Sequence, residues 1–431
     1  MKLDKLVYGL MTAGLMAAAI PAQAQSAKDF EDMRAELKAL RAELNALKQQ
    51  RAATAPAPTA ELQARVEAVE IKQADAVVGG DIGGGFRLPG SETSIRVYGF
   101  AEANLIKDFK GTAPGDNFTN VMEQPLGNAF QAKKSVITGE TSRFGFETST
   151  PTALGAFATK VEADFYAYGS DNRNRLRLRH AYGEYAGWLI GQTWSTFMDL
   201  DNLPETVDFN GPPGGTFRRP TQIRYTYNNP QMAKFQIALE NPSDGATRPT
   251  LVLRADKGFD WGGLNIRAMS HQQRDASSGL SRNGAGFGVG GSYKLTGSAT
   301  LMAQYTQLDG DGDGAYLIGA NYPTVDEAGV LRLDKAKGIV VGVSNTFNDK
   351  LRGTVVYGRT RSNFDSTDAY AIATGVSSGN KSVSQLHANL YYVPIKNVEL
   401  GTELIWGKRT TYDGQTGKLS RLNLQARYSF N

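Results

Sequence analysis

The chain has 431 residues, 47 Lys and Arg against 43 Asp and Glu, a formal charge of +4, no cysteine and a mean hydropathy of −0.36. So balanced a charge excludes a nucleic-acid-binding surface, and the lack of Cys excludes a disulfide framework, thiol chemistry and most zinc sites. With 48 Gly, 18 Tyr and 19 Phe but only 41% hydrophobic residues, the composition suits a β protein whose strands are wetted on one face.

Residues 1–24 have the pattern of an export signal: Lys2 and Lys5, an apolar stretch from Leu6 to Ile20, and the small-x-small site Ala22-Gln23-Ala24. That stretch is shorter than the ~20 residues a spanning helix needs and ends in Pro21, so cleavage is expected and the mature chain should begin near Gln25.

Residues 25–78 are expected to hold a periplasmic coiled coil and a Pro-containing linker. Phe30, Met33, Leu37, Leu40, Leu44 and Leu47 recur at alternating spacings of three and four, a heptad seam with charged residues between its positions. Pro56 and Pro58 break the helix, and Leu62, Val66 and Val69 start a weaker seam in a shifted phase. A helix this short is marginal alone, so the seam predicts association with copies of itself; the alternative is an amphipathic helix laid on its own barrel.

Residues 79–431 open on Gly79, Gly80, Gly83, Gly84 and Gly85 and then alternate with period two. Ile95, Val97, Gly99, Ala101, Ala103 and Leu105 oppose Arg96, Tyr98, Glu102 and Asn104, and the last segment repeats this with Leu422, Leu424, Ala426, Tyr428 and Phe430. Short turns fall at 151–154, 186–187, 228–230, 295–298, 347–349 and 394–397. Longer polar loops lie at 108–136, 195–221, 241–249, 274–283, 309–335 and 362–382. Alternation of short and long connections favours a transmembrane antiparallel β-barrel of about 16 strands over a soluble sandwich. Tyr98, Tyr166, Tyr168, Tyr182, Trp188, Tyr225, Tyr227, Tyr391, Tyr392 and Trp406 lie near strand ends and are candidates for the interfacial girdles.

The fourth strand reads Arg175-Leu176-Arg177-Leu178-Arg179. Arg on a lipid face costs about 2–4 kcal/mol near the midplane, so the arginines should line the lumen. By the same parity Arg96, Arg143, Arg224, Arg267, Arg421 and Arg427 point inward as pore-lining, anion-binding candidates, opposed by Glu102, Glu147, Glu162, Asp164, Glu240, Glu399 and Glu403. Parity leaves open both a net basic constriction and a mixed, weakly selective lumen. The loop 195–221 is the third outward one and carries Asp199, Asp201, Glu205 and Asp208, then Gly211-Pro212-Pro213-Gly214-Gly215, then Arg218 and Arg219. Folded into the barrel, it would set opposite charges across a constriction; left outside, it is an ordinary exposed loop.

Three other signals carry less. Asp309-Gly310-Asp311-Gly312-Asp313-Gly314 opens like a calcium loop but has Ala320 at the twelfth position, where a bidentate Glu is needed. Gly286-Phe287-Gly288-Val289-Gly290-Gly291 spells a nucleotide motif without strand-to-helix context. His180, His271 and His387 have no catalytic partner by local motif, so no enzyme, metal or cofactor is expected.

The runs Val97-Tyr98-Gly99-Phe100-Ala101-Glu102, Ser142-Arg143-Phe144-Gly145-Phe146-Glu147 and Gly191-Gln192-Thr193-Trp194-Ser195-Thr196, with Asn210-Gly211-Pro212 after them, resemble the DcaP-like porins over nearly the whole chain. The resemblance implies a homotrimer of sixteen-stranded barrels in the bacterial outer membrane, passing small anionic solutes and dicarboxylates in particular. The alternatives are an envelope-tethering barrel with a coiled coil, or a weakly selective general porin.

Overall fold

The computed structural model describes residues 35–36, 38–43, 46, 64–65, 67, 78–111, 117–127, 134–168, 174–242, 246–275, 277–310, 316–326, 328–363 and 379–430. In the N-terminal unit the described residues between 35 and 67 are helical, and Leu40 is buried. The export signal lies outside the described residues, as do Phe30, Met33, Leu37, Leu44 and Leu47 of the seam.

The second unit is a closed barrel of sixteen antiparallel strands, each bonded to its neighbours in sequence. They are β1 (Ser94–Lys110), β2 (Arg143–Thr152), β3 (Gly155–Tyr168), β4 (Asn174–Tyr185), β5 (Trp188–Gln192), β6 (Thr221–Asn229), β7 (Ala233–Glu240) and β8 (Thr250–Phe259). Then come β9 (Gly262–Arg274), β10 (Ser281–Lys294), β11 (Ala299–Asp309), β12 (Lys335–Asn348), β13 (Leu351–Arg361), β14 (Asn380–Tyr392), β15 (Val398–Thr411) and β16 (Thr416–Phe430). Pairing of β16 with β1, from Ser420 opposite Lys110 to Phe430 opposite Gly99, closes the ring, so no edge is left unpaired.

The expected turns are present, and one more at Asp260 and Trp261 joins β8 to β9. The tightest, Ala186-Gly187, has positive φ at both residues, 49° and 85°, as a two-residue hairpin turn between twisted strands requires. Apolar side chains face outward: Leu176, Leu178, Ile237, Leu253, Ile266, Val341, Val355, Leu404 and Leu424 are all exposed. In a soluble protein such a surface would be an aggregation liability; in lipid it is the seat of the barrel.

The aromatic candidates divide between the two faces. Trp188, Tyr225, Tyr227, Tyr392 and Trp406 are exposed on the outside, where Trp188 and Tyr225 lie 4.9 Å apart and Phe259 stacks on Trp261 at 4.7 Å near the short-turn rim. Tyr98, Tyr166 and Tyr391 instead serve the inside, bonding Glu162, stacking on Phe209 and lying under Arg352.

Candidate functional site

Loop 193–220 turns into the barrel and is held there by wall residues. Glu240 of β7 accepts the Ser195 hydroxyl at 2.8 Å and the Thr196 amide at 2.7 Å, and Arg267 of β9 donates to the Phe197 carbonyl at 2.9 Å. Further along, Glu403 of β15 accepts the amides of Val207 and Asp208, both at 3.0 Å. The Pro/Gly bend rests on a floor of glycines. A Cβ on Gly338 of β12 would stand 2.7 Å from the Gly214 Cα, and one on Gly358 of β13 would meet Pro213. Gly214 itself has φ +92° and donates its amide to the Ile318 carbonyl of the loop between β11 and β12 at 2.9 Å, while the Ile318 amide donates to the Gly215 carbonyl at 2.9 Å.

The two loops fill one side of the lumen with a dry core of Phe197, Tyr316, Leu317 and Ala320 packed on Ala238, Val252, Met269, Leu308 and Ala336 of the wall from β7 to β12. Each fully buried side chain among the larger of these contributes about 1.5–3 kcal/mol to holding the loops inside. The opposite wall, β1 to β4 with β16, keeps the polar lining.

On that wall the arginines are joined by shared rings. Arg427 and Arg143 stand over Phe100 at 4.4 and 5.1 Å, Arg177 and Arg179 over Phe209 of the loop at 5.6 Å each, and Arg179 and Arg219 over Trp194 at 5.8 and 4.5 Å. Carboxylates lie beneath them. Glu162 meets Arg179 at 2.7 Å and Arg143 at 3.4 Å, Asp164 meets both Arg177 and Arg179 at 2.7 Å, and Glu102 meets Arg427 at 2.6 Å.

The layering decides which charge faces water. The Arg177 side chain is 29% exposed over an Asp164 at 0%, Arg427 32% over Glu102 at 2%, and Arg143 22% over Glu162 at 5%. Arg143, Arg177, Arg219 and Arg427 thus form a track of four part-exposed cations, while Arg179, 3% exposed, is sealed between Glu162 and Asp164, and Arg427 also lies 3.6 Å from Glu399. Both Arg179 and the adjacent His180 reach the interior because β4 bulges there: Leu178 pairs with Ala163 and His180 with Glu162, leaving Arg179 as the extra residue.

The remaining candidates are placed differently. Arg96 pairs with Glu147, which also holds Lys160 at 2.9 Å, and Arg224 faces inward beside Leu189 and Ala238 in the sheet. Arg175 is exposed at the long-loop end of β4. Arg267 and Arg421 point inward but are sealed at about 1% and 0% exposure, Arg267 under the Phe197 carbonyl and Arg421 against Asp108, so neither lines the water-filled path. This corrects their assignment as pore-lining residues.

The loop charges also depart from expectation, because most anchor the loop. Asp199 is buried between Arg254 and Arg267 at 3.8 and 3.9 Å, and Asp208 is buried on the Thr119 amide and hydroxyl at 2.9 and 2.7 Å. Burial pushes the Asp208 carboxyl up to about 6, with His387 and Arg421 opposing. Asp201 is exposed beside Arg254, and Glu205 meets Arg352 at 2.8 Å. Arg218 donates to the Pro242 carbonyl at 2.9 Å and stands over Tyr316, leaving Arg219 as the member of the pair on the arginine track.

Sequence reasoning missed Arg254 and Arg352. Arg352 of β13 bridges Glu205 and Glu399 and stacks on Tyr391 at 4.4 Å, so it ties the loop to the wall. Parity had the signal, since Arg352 shares the inward phase of Thr354 and Val356, but Arg359 and Arg361 on the outward phase obscured it. Asp309, at the start of the calcium-like run, has its described neighbours in the β11 sheet, and residues 311–315 lie outside the described residues.

A family model described as DcaP outer membrane protein matches residues 86–430. Among solved structures, the outer membrane channel DcaP of Acinetobacter baumannii is 28% identical with a TM-score of 0.72, over 82% of this chain and 100% of that one. OmpT of Vibrio cholerae in its trimer form, 14% identical with TM-score 0.53 over 78% and 99% of the two chains, shares the fold. So does an anion-selective porin from Comamonas acidovorans, 12% identical with TM-score 0.53 over 79% and 100%. No curated protein sequence matches.

Proposed function

This chain belongs to the DcaP outer membrane protein family, and on that premise we propose that it is a passive diffusion channel favouring small anionic solutes, dicarboxylates among them. The observation that carries this reading is the layering of the lumen wall, where guanidinium groups stand in front of buried carboxylates. A solute entering the narrowed path then meets planar forks suited to carboxylate oxygens, several in succession, and passes between them without a chemical step. Weak multiple contacts suit conduction better than one deep site. Arg352 and Arg427 temper the preference, because each lies between two carboxylates and adds little net charge.

Uptake into proteoliposomes tests the solute class. A small dicarboxylate should enter several-fold faster than a neutral sugar of equal size, and a diamine more slowly than either. Equal rates for all three would leave a general porin instead.

The homotrimer belongs to the same proposal, with the heptad seam from Phe30 to Leu47 as a periplasmic contact between copies. Removing residues 30–47 should lower the temperature at which the trimer dissociates on native gels; an unaltered trimer would assign the seam another partner.

A further inference from the structure

We propose that the outward face of β12 to β16, at the long-loop rim, binds a phosphate-bearing lipid headgroup of the outer leaflet. Five cations converge there on the lipid side of the barrel. On β12, Lys337 is exposed in phase with the exposed Ile339, Val341 and Val343; on β13, Arg359 and Arg361 are exposed in phase with Val355 and Tyr357. Lys408 of β15 follows the outward Trp406 and Leu404, and Lys418 of β16 is exposed beside it.

The register aligns them. Arg359 pairs with Ser384, Ser384 with Lys408, and Lys408 with Lys418, so one row crosses four strands; Lys337 and Arg361 are paired one step nearer the rim. At ~4.8 Å between strands the row spans roughly 15 Å, the scale of a glycolipid headgroup. Directly beneath it runs Tyr357, Leu386 and Trp406, the aromatic and apolar step that marks the membrane interface.

Two of these pairs, Lys337 with Arg361 and Lys408 with Lys418, set like charges directly opposite each other, which destabilises a sheet unless an anion lies between. Among the described residues no ion pair joins any of the five to a carboxylate. Arg359 donates only to the Ser382 hydroxyl at 3.3 Å. The nearest outward carboxylate in this register is Asp309, opposite Lys335 at the edge of the patch. The hydroxyls of Ser382 and Ser384 complete a lining suited to phosphate oxygens, with acyl chains continuing onto the apolar band below.

Native mass spectrometry of the full protein in detergent tests this with three probes: a bis-phosphorylated glucosamine lipid (lipid A), its dephosphorylated form, and inorganic phosphate. The phosphorylated lipid should be retained, and a variant carrying Arg359→Gln, Lys408→Gln and Lys418→Gln should lose occupancy about tenfold with conductance unchanged. Lys350→Gln, at the opposite rim, should retain the lipid fully. If the triple variant fails to fold, Lys418→Gln alone should show a smaller loss. The proposal falls if the variants bind like wild type, if the dephosphorylated lipid binds equally, or if inorganic phosphate at equal concentration displaces the lipid. It also falls if the substitutions change the oligomeric state in place of lipid occupancy, which would make the patch an interface between copies.

Discussion

Asp208 lies where the third loop meets the wall, enclosed by Thr119 of the first loop, His387 of β14, Glu403 of β15 and Arg421 of β16. Its carboxyl titrates at about 6 because burial disfavours the charge. A carboxyl whose pKa in the fold exceeds its ordinary 3.8 holds its proton more tightly folded than unfolded, so its ionisation weakens the fold above pH 6. The cost is relieved as pH falls through about 6 and is gone below about 4. Relative to an Asp208→Asn variant, the wild type should therefore lose thermal stability between pH 5 and pH 7, by the equivalent of about 1–3 kcal/mol. A variant with the same pH dependence as wild type would place the titration elsewhere. Nothing in the sequence marks Asp208 apart from Asp201: both are loop acids, and only long-range packing buries one and leaves the other in water.

Among the elements, the strands were legible and the third loop was only partly so. Period-two alternation and tight turns are local, and a lipid face makes the parity legible where Leu and Arg alternate, as at Leu176 to Leu178. The bulge that admits Arg179 and His180 together breaks that parity without a signature in the sequence. The loop's length and Pro/Gly bend suggested that it folds inward, but its acids read as a field across the pore, whereas most of them bind the loop to Arg254, Arg267, Arg352 and Thr119. Those partners lie 50 or more residues away in the chain. The glycine floor tests the docking: Gly338→Val should force the bend and Leu317 away, destabilise the docked loop by about 1–3 kcal/mol, and make single-channel current noisier. Quiet, unaltered channels from this variant would mean that the loop does not rest on β12 during conduction.

For the whole molecule, balanced composition concealed a layered one. A formal charge of +4 over 431 residues says little about a pore, because the carboxylates that neutralise the lumen lie behind its arginines. The dry side of the barrel holds the loops, and the wet side presents Arg143, Arg177, Arg219 and Arg427 along one track. The central claim is that this track sets the sign of selectivity. The direct measurement is the reversal potential in a planar bilayer under a potassium chloride gradient, for wild type and for Arg177→Glu. The layered lumen predicts a wild type that favours chloride and a variant shifted several-fold toward potassium. A cation-selective wild type, or an Arg177→Glu channel with unchanged reversal potential, would contradict it.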